Sequence, residues 1–151
     1  MNDNETVAAA RRALDGFMKA MNAEDIEDVR RRWFHFPHVR FQAGKVFVWN
    51  APDDFQSPVL ARQGEAKDWA QTEWDYAEPI DFGPEKVHFR AQFTRYRADG
   101  SVIGSYKSLY IVVQKDGRWA IQGRSTWAVR VKITSPLPGV RRVCDGGSSS
   151  P

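Results

Sequence analysis

Two Asp-Gly pairs, Asp99-Gly100 and Asp116-Gly117, each lie between runs in which apolar and polar residues alternate. Alternation at period two makes strands, and Asp-Gly accepts the positive φ angles of a two-residue hairpin loop. The pairs therefore predict three consecutive antiparallel strands, at roughly 85–97, 102–115 and 118–128. Such a loop also sets which residues oppose one another, so the register follows by counting outward. Around the first turn Phe93 meets Tyr106, Ala91 meets Ser108, Phe89 meets Tyr110 and Val87 meets Val112. Around the second, Lys115 meets Arg118, Val112 meets Ile121, Tyr110 meets Gly123, Ser108 meets Ser125 and Tyr106 meets Trp127.

Directly opposed residues share a face. One face then carries Val87, Phe89, Ala91, Phe93, Tyr106, Ser108, Tyr110, Val112, Trp119, Ile121, Gly123, Ser125 and Trp127. It holds nearly all the large rings, so helices should pack there, yet Ala91, Ser108 and Ser125 form a row of small residues with Gly123 beside it. Either helix side chains such as Phe17 and Met21 fill that space, or it stays open as an apolar pocket whose polar handles are the hydroxyls of Tyr106, Tyr110, Ser108 and Ser125. The reverse face centres on Leu109, Ile111 and Val113, with Gln122 and Arg124 among the polar residues around them. An apolar patch inside a polar rim is how subunit interfaces are built, so this face predicts a homodimer.

Earlier in the chain, Val7, Ala10, Leu14, Phe17, Met18 and Met21 recur at helical spacing behind an N-cap at Asp3 or Asn4, which predicts a helix ending near Asn22. A second helix should begin at Glu24 and Asp25, bury Ile26, Val29 and Trp33, and stop before Pro37. The stretch "HVRFQAGKVFVW" reads as a hairpin with strands at about 38–42 and 45–49. Ser57-Pro58 is the pair expected at an N-cap and first helical position, so a third helix should run to about Gly64. A strand follows from Glu73 to Phe82, with Pro79 at an edge or bulge. The fold class expected is α+β, three N-terminal helices packed in a strongly bent, mostly antiparallel sheet over residues 1–134. Residues 135–151 read as a flexible Pro/Gly/Ser-rich tail.

Composition narrows the partners. The chain has 151 residues, 42% of them hydrophobic, which suits one domain with a real core. Its net charge of +3 comes from bases interleaved with acids, not from a basic patch, and no RNA-recognition signature is present, so nucleic acid is not expected. One cysteine, Cys144, excludes an internal disulfide and any cysteine-based zinc cluster. The polar start "MNDNET" has no apolar segment, and no run reaches the ~18 apolar residues of a membrane span. The expectation is a cytoplasmic protein without membrane contact.

The order of elements, together with "ALDGFMKAMNAEDIEDVRRRW", "FHFPHVRF" and the terminal "KDGRWAI", resembles the nuclear-transport-factor-2-like superfamily, in particular its SnoaL-like members, over about residues 5 to 130. The resemblance implies a cone-shaped half-barrel around a pocket, often dimeric through the outer sheet face. It also implies where catalytic groups would stand, and they are missing. The position matching the general-base carboxylate of ketosteroid isomerase-like members is Phe41, and no tyrosine precedes Tyr76. The Asp-Arg-Asp arrangement of limonene-epoxide-hydrolase-like members would need Arg124 inside, whereas the counted register puts it outside. Where SnoaL-like cyclases carry a His or Asp, this chain has Gly123, Arg124 and Ser125.

The pocket expected comprises Phe17, Met21, Phe41, Phe89, Ala91, Phe93, Tyr106, Ser108, Tyr110, Gly123, Ser125 and Trp127. It suits a small apolar or aromatic molecule and needs no cofactor. Weak catalytic candidates are Glu78, which lies in phase with Trp74, Tyr76 and Ile80, and the hydroxyls of Tyr106 and Tyr110. His35 and His38 flank a proline and lack a third ligand, so no metal is expected; His38 and Arg40 should instead share a hairpin face with Phe47 and Trp49. Three readings remain: a ligand-binding or accessory protein; a cofactor-free isomerase, cyclase or dehydratase on a polyketide- or steroid-like substrate; and a dimeric interaction module with no ligand.

Overall fold

The computed structural model describes residues 2–127, so the tail expected at 135–151 lies outside the described residues. The chain opens with helix α1 (Asp3–Asn22). Its cap is Asn2, one residue before the expected pair: the Asn2 side chain accepts from Glu5 N at 2.9 Å while the Glu5 carboxylate accepts from Asn2 N. That reciprocal box satisfies two donors the first turn leaves open. Ala10, Ala13, Leu14 and Phe17 form the buried stripe. Gly16 has a separate reason: a Cβ there would sit 2.3 Å from the Trp33 ring, so only glycine lets the indole lie against the helix.

The second helix is shorter than expected. Helix α2 (Ile26–Asp28) is capped by Asp25 and passes into a π-helical turn over Val29–Trp33 that closes with Phe34 N donating to Val29 O. The first strand then starts at Phe34, before Pro37. The third helix does not form. Ser57 Oγ accepts from Leu60 N as a cap should, but Arg62 and Gly64 take φ angles of 53° and 58°, ending the turn at once. Residues 52–54 and 64–66 make single 3-10 turns.

Six strands follow: β1 (Phe34–Gln42), β2 (Lys45–Trp49), β3 (Gln71–Gly83), β4 (Lys86–Tyr96), β5 (Val102–Lys115) and β6 (Arg118–Thr126). Their order in the sheet is β2-β1-β6-β5-β4-β3, with β1 and β6 parallel and all other neighbours antiparallel. The sheet curves around α1 without closing, an α+β cone. Asn22 ties the helix to the sheet, donating to Thr72 O and accepting from Thr72 N, each at 2.8 Å.

The β4–β5 pairs counted from Asp99-Gly100 do form, with Val87, Phe89, Ala91 and Phe93 facing Val112, Tyr110, Ser108 and Tyr106. The turn itself is not the expected two-residue loop: Arg97 N donates to Ser101 O across three residues, Tyr96 faces Val102, and a bulge at Ile103 restores the count. The β5–β6 register is not the one counted. It begins as counted, with Lys115 opposite Arg118 and Val112 opposite Ile121, and then shifts, so that Ile111 faces Gly123, Tyr110 faces Arg124, Leu109 faces Ser125 and Ser108 faces Thr126. Gln122 is the extra residue of a β-bulge, and one extra residue turns every later side chain to the other face. β1 pairs in phase with the shifted half, Arg40 with Arg124 and Phe41 with Ser125.

Candidate functional site

The bulge decides the chemistry of the cone. Beyond it, Gly123 and Ser125 join Leu109, Ile111 and Phe41 outside, while Arg124 and Thr126 turn inward beside Arg40, Gln42 and Tyr110. Arg124 is thus a wall of the cavity and not part of the outer patch. Phe41 is 48% exposed and lines nothing inside. A glycine within a strand pattern is a known sign of a bulge, and "IQGR" was the signal available in the sequence.

The concave face has a packed half and an open half. Over the packed half, α1 lays Ala10, Ala13 and Leu14 against Phe89, Ala91, Val112 and Ile121 in one core. Trp74 from β3 meets Tyr110 edge-on at 5.3 Å between ring centroids. Ala91 and Ser108, the small row expected to make space, are fully buried here and line no cavity. In the open half a cavity of about 350 Å³ remains between the end of α1, the 55–66 segment and the sheet. Phe17 and Met21 border it together with Phe55, Phe93, Tyr106, Tyr110 and Trp127. The 57–70 segment is anchored by a second cluster of Ala66, Trp69 and Ile103, with Trp69 Nε1 donating to Thr72 Oγ1 at 2.8 Å.

Among the described residues three guanidiniums face this space, Arg40, Arg95 and Arg124, against one carboxylate, Glu65. Arg124 is held most closely. Its Nε donates to His38 Nε2 at 3.1 Å, and its guanidinium lies over the rings of Phe34 at 5.1 Å, Phe55 at 5.8 Å and Phe17 at 5.9 Å. His38 can accept that bond because its other nitrogen, Nδ1, donates to Ile121 O at 3.1 Å, which fixes the tautomer. The ring is sealed and stacks on Phe34 with centroids 3.8 Å apart. Burial, with Arg124 adding repulsion, holds the His38 pKa down to about 2, so the imidazole is neutral at any ordinary pH. Burial also lowers Arg124, helped by Arg40, to about 9.

Arg95 is differently placed. It lies 4.7 Å over the Tyr106 ring, and the Tyr106 hydroxyl donates to Glu65 at 2.9 Å. Burial lowers its pKa, and Tyr106 and Glu65 oppose that. Burial lowers Arg40 as well, and Arg95 adds to the effect.

Glu78 is not in the cone. A bulge between Trp74 and Tyr76 leaves Trp74 inside and puts Glu78 outside, paired with Arg90. His35 and His38 do not converge: His35 Nε2 contacts Val113 O and Arg118 O instead, and no cluster of three metal-ligating side chains occurs among the described residues. His38 and Arg40 do share the hairpin face with Trp49 and Phe47. Among the described residues no helix is long and apolar enough to cross a membrane.

A family model described as NTF2-like protein (DUF6841) matches residues 4–126. The chain belongs to this NTF2-like family. Among curated proteins none matches it. Of solved structures, it is similar to a protein of unknown function with a cystatin-like fold from Nostoc punctiforme, at 11% identity and a TM-score of 0.63, covering 80% of this chain and 88% of that one. A ketosteroid isomerase-like protein from Erwinia carotovora atroseptica matches at 18% identity and 0.59, over 86% and 99%. An NTF2-like protein with a cystatin-like fold from Novosphingobium aromaticivorans matches at 11% and 0.62, over 82% and 81%. At these identities the likeness is one of fold, and the NTF2-like chain's own side chains must supply the function.

Proposed function

We propose that this NTF2-like protein binds a small molecule with a flat, apolar body in the open half of its cone. The observation that carries the reading is the cavity itself: its volume of about 350 Å³ lies in the range of small-molecule sites, and six aromatic rings border it. Phe17 and Met21 form part of that wall and leave the centre empty. A neutral fluorescent probe, N-phenyl-1-naphthylamine, should therefore bind the full chain with enhanced emission. Thr126→Phe, which places a ring into the cavity, should abolish the enhancement. Emission unchanged by the protein, or equal in wild type and variant, would remove the pocket as a binding site.

A catalytic role is the second reading, favoured by one contact. Tyr106 donating to Glu65 sets a phenol and a carboxylate at the cavity wall, the pair an isomerase or dehydratase acting on an enolisable substrate would use. We also propose that the outer patch of Leu109, Ile111 and Val113 meets its copy in a homodimer. Arg124 has left that rim, and Gln122, the bulged residue, donates to Pro37 O.

A further inference from the structure

We propose that the ligand carries a carboxylate, received by the guanidiniums of Arg40 and Arg124. This rests on the reading of the cone as a small-molecule pocket. Arg40 and Arg124 are register partners on adjacent parallel strands, so two positive charges stand side by side at the wall of a partly enclosed cavity. Among the described residues neither forms an ion pair, and no carboxylate is among the charges that act on either one. Burying charge without a counter-charge is costly, and proteins rarely keep such an arrangement unless an anion completes it.

The hydrogen bonds point the same way. Arg124 commits Nε to His38, and its two terminal nitrogens have no partner among the described residues. Those two nitrogens form the parallel donor fork that a carboxylate accepts. Arg40 Nε is buried with no hydrogen-bond partner among the described residues. His38 offers Arg124 a neutral acceptor, which orients the guanidinium without neutralising it. Arg95 differs because Glu65 and Tyr106 already act on it. The same Glu65 sets the ligand's charge: a dianion would meet a resident carboxylate across the cavity, whereas a single carboxylate balances part of the excess. The rings of Phe17, Phe93 and Tyr106 then flank the apolar body, which extends toward half-exposed Trp127.

Calorimetry on the full chain at neutral pH with 2-naphthoate, 2-naphthamide and 2-naphthyl phosphate tests this. Naphthoate should bind at least tenfold more tightly than the isosteric amide. Arg124→Met and Arg40→Met should each abolish the preference for naphthoate over the amide, both ligands being measured in the same variant. If Arg124→Met does not fold, the wild-type acid and amide pair and Arg40→Met still decide. Equal affinity for acid and amide in the wild type would overturn the proposal, as would phosphate binding tenfold more tightly than carboxylate. If N-phenyl-1-naphthylamine binds and naphthoate does not, the carboxylate is overturned and the pocket stands. If none of these probes binds, the pocket reading fails and this inference with it.

Discussion

Ser108 and Thr126 stand opposite each other on β5 and β6, yet they belong to different halves of the cone. Ser108 is fully buried and borders no cavity, whereas Thr126 borders the open one. The cross-strand row is continuous, but the cover above it is not: α1 ends at Asn22, and the segment after Phe55 arches over the remainder without becoming a helix. Small residues do not by themselves make a pocket. What lies over them does.

The largest effect should come from filling the sealed side. Ser108→Phe has no free volume to enter, and overpacking a dense core costs about 1–3 kcal/mol or more, so a loss at the top of that range or outright unfolding is expected in a urea titration. Thr126→Phe, one strand away, should cost markedly less, because the ring enters the open cavity, and should remove probe binding. Equal losses in the two variants would break the distinction between the halves.

The next effect is in pH. The folded-state pKa of His38 is about 2 against an ordinary 6.5, so between those values the unfolded chain holds a proton that the folded chain does not. The contribution of this residue is fully present above pH 6.5 and is lost as pH falls toward 2, with a slope of at most ~1.4 kcal/mol per pH unit. His38→Gln keeps an acceptor for Arg124 and has no titrating group. Its stability measured from pH 7 to pH 4 should fall less steeply than that of the wild type. Identical slopes would show that the imidazole is hydrated and not sealed in the core.

On the outer face, Ile111→Asp should convert a dimer to a folded monomer at micromolar concentration, read by sedimentation, because a carboxylate at the centre of the patch would oppose its copy. A wild type that sediments as a monomer would remove the interface. The smallest effect expected is at Glu78, whose pair with Arg90 is solvent-exposed and screened by water. Glu78→Gln should leave stability and probe binding within error of wild type; a clear loss of binding would mean that β3 is threaded differently.

Local chemistry made much of this molecule legible. The Asp116-Gly117 turn, the amphipathic first helix and the β1–β2 hairpin all rest on interactions between residues near in sequence, whereas the β4–β5 pairs form as counted because a bulge at Ile103 offsets a loop one residue longer than expected. Where a distant element intervened, the reading failed. The helix expected after Ser57 stops at the positive φ of Arg62 and Gly64, and the segment packs through Trp69 and Ala66 against Ile103. The second helix gives way to a π-helical turn whose Trp33 seats on Gly16 of α1.

The bulge at Gln122 is the most consequential case. The sequence determines that the last strand alternates and that it leaves the Asp116-Gly117 turn with Arg118 opposite Lys115. It does not determine where a strongly bent sheet places its extra residue, because that depends on how β6 serves two neighbours at once, β5 antiparallel and β1 parallel. Gln122 is the residue left over between those two ladders. Only the tertiary structure therefore decides that Arg124 faces inward to join Arg40 and Arg95, and with that whether the cone is a purely apolar pocket or a charged one.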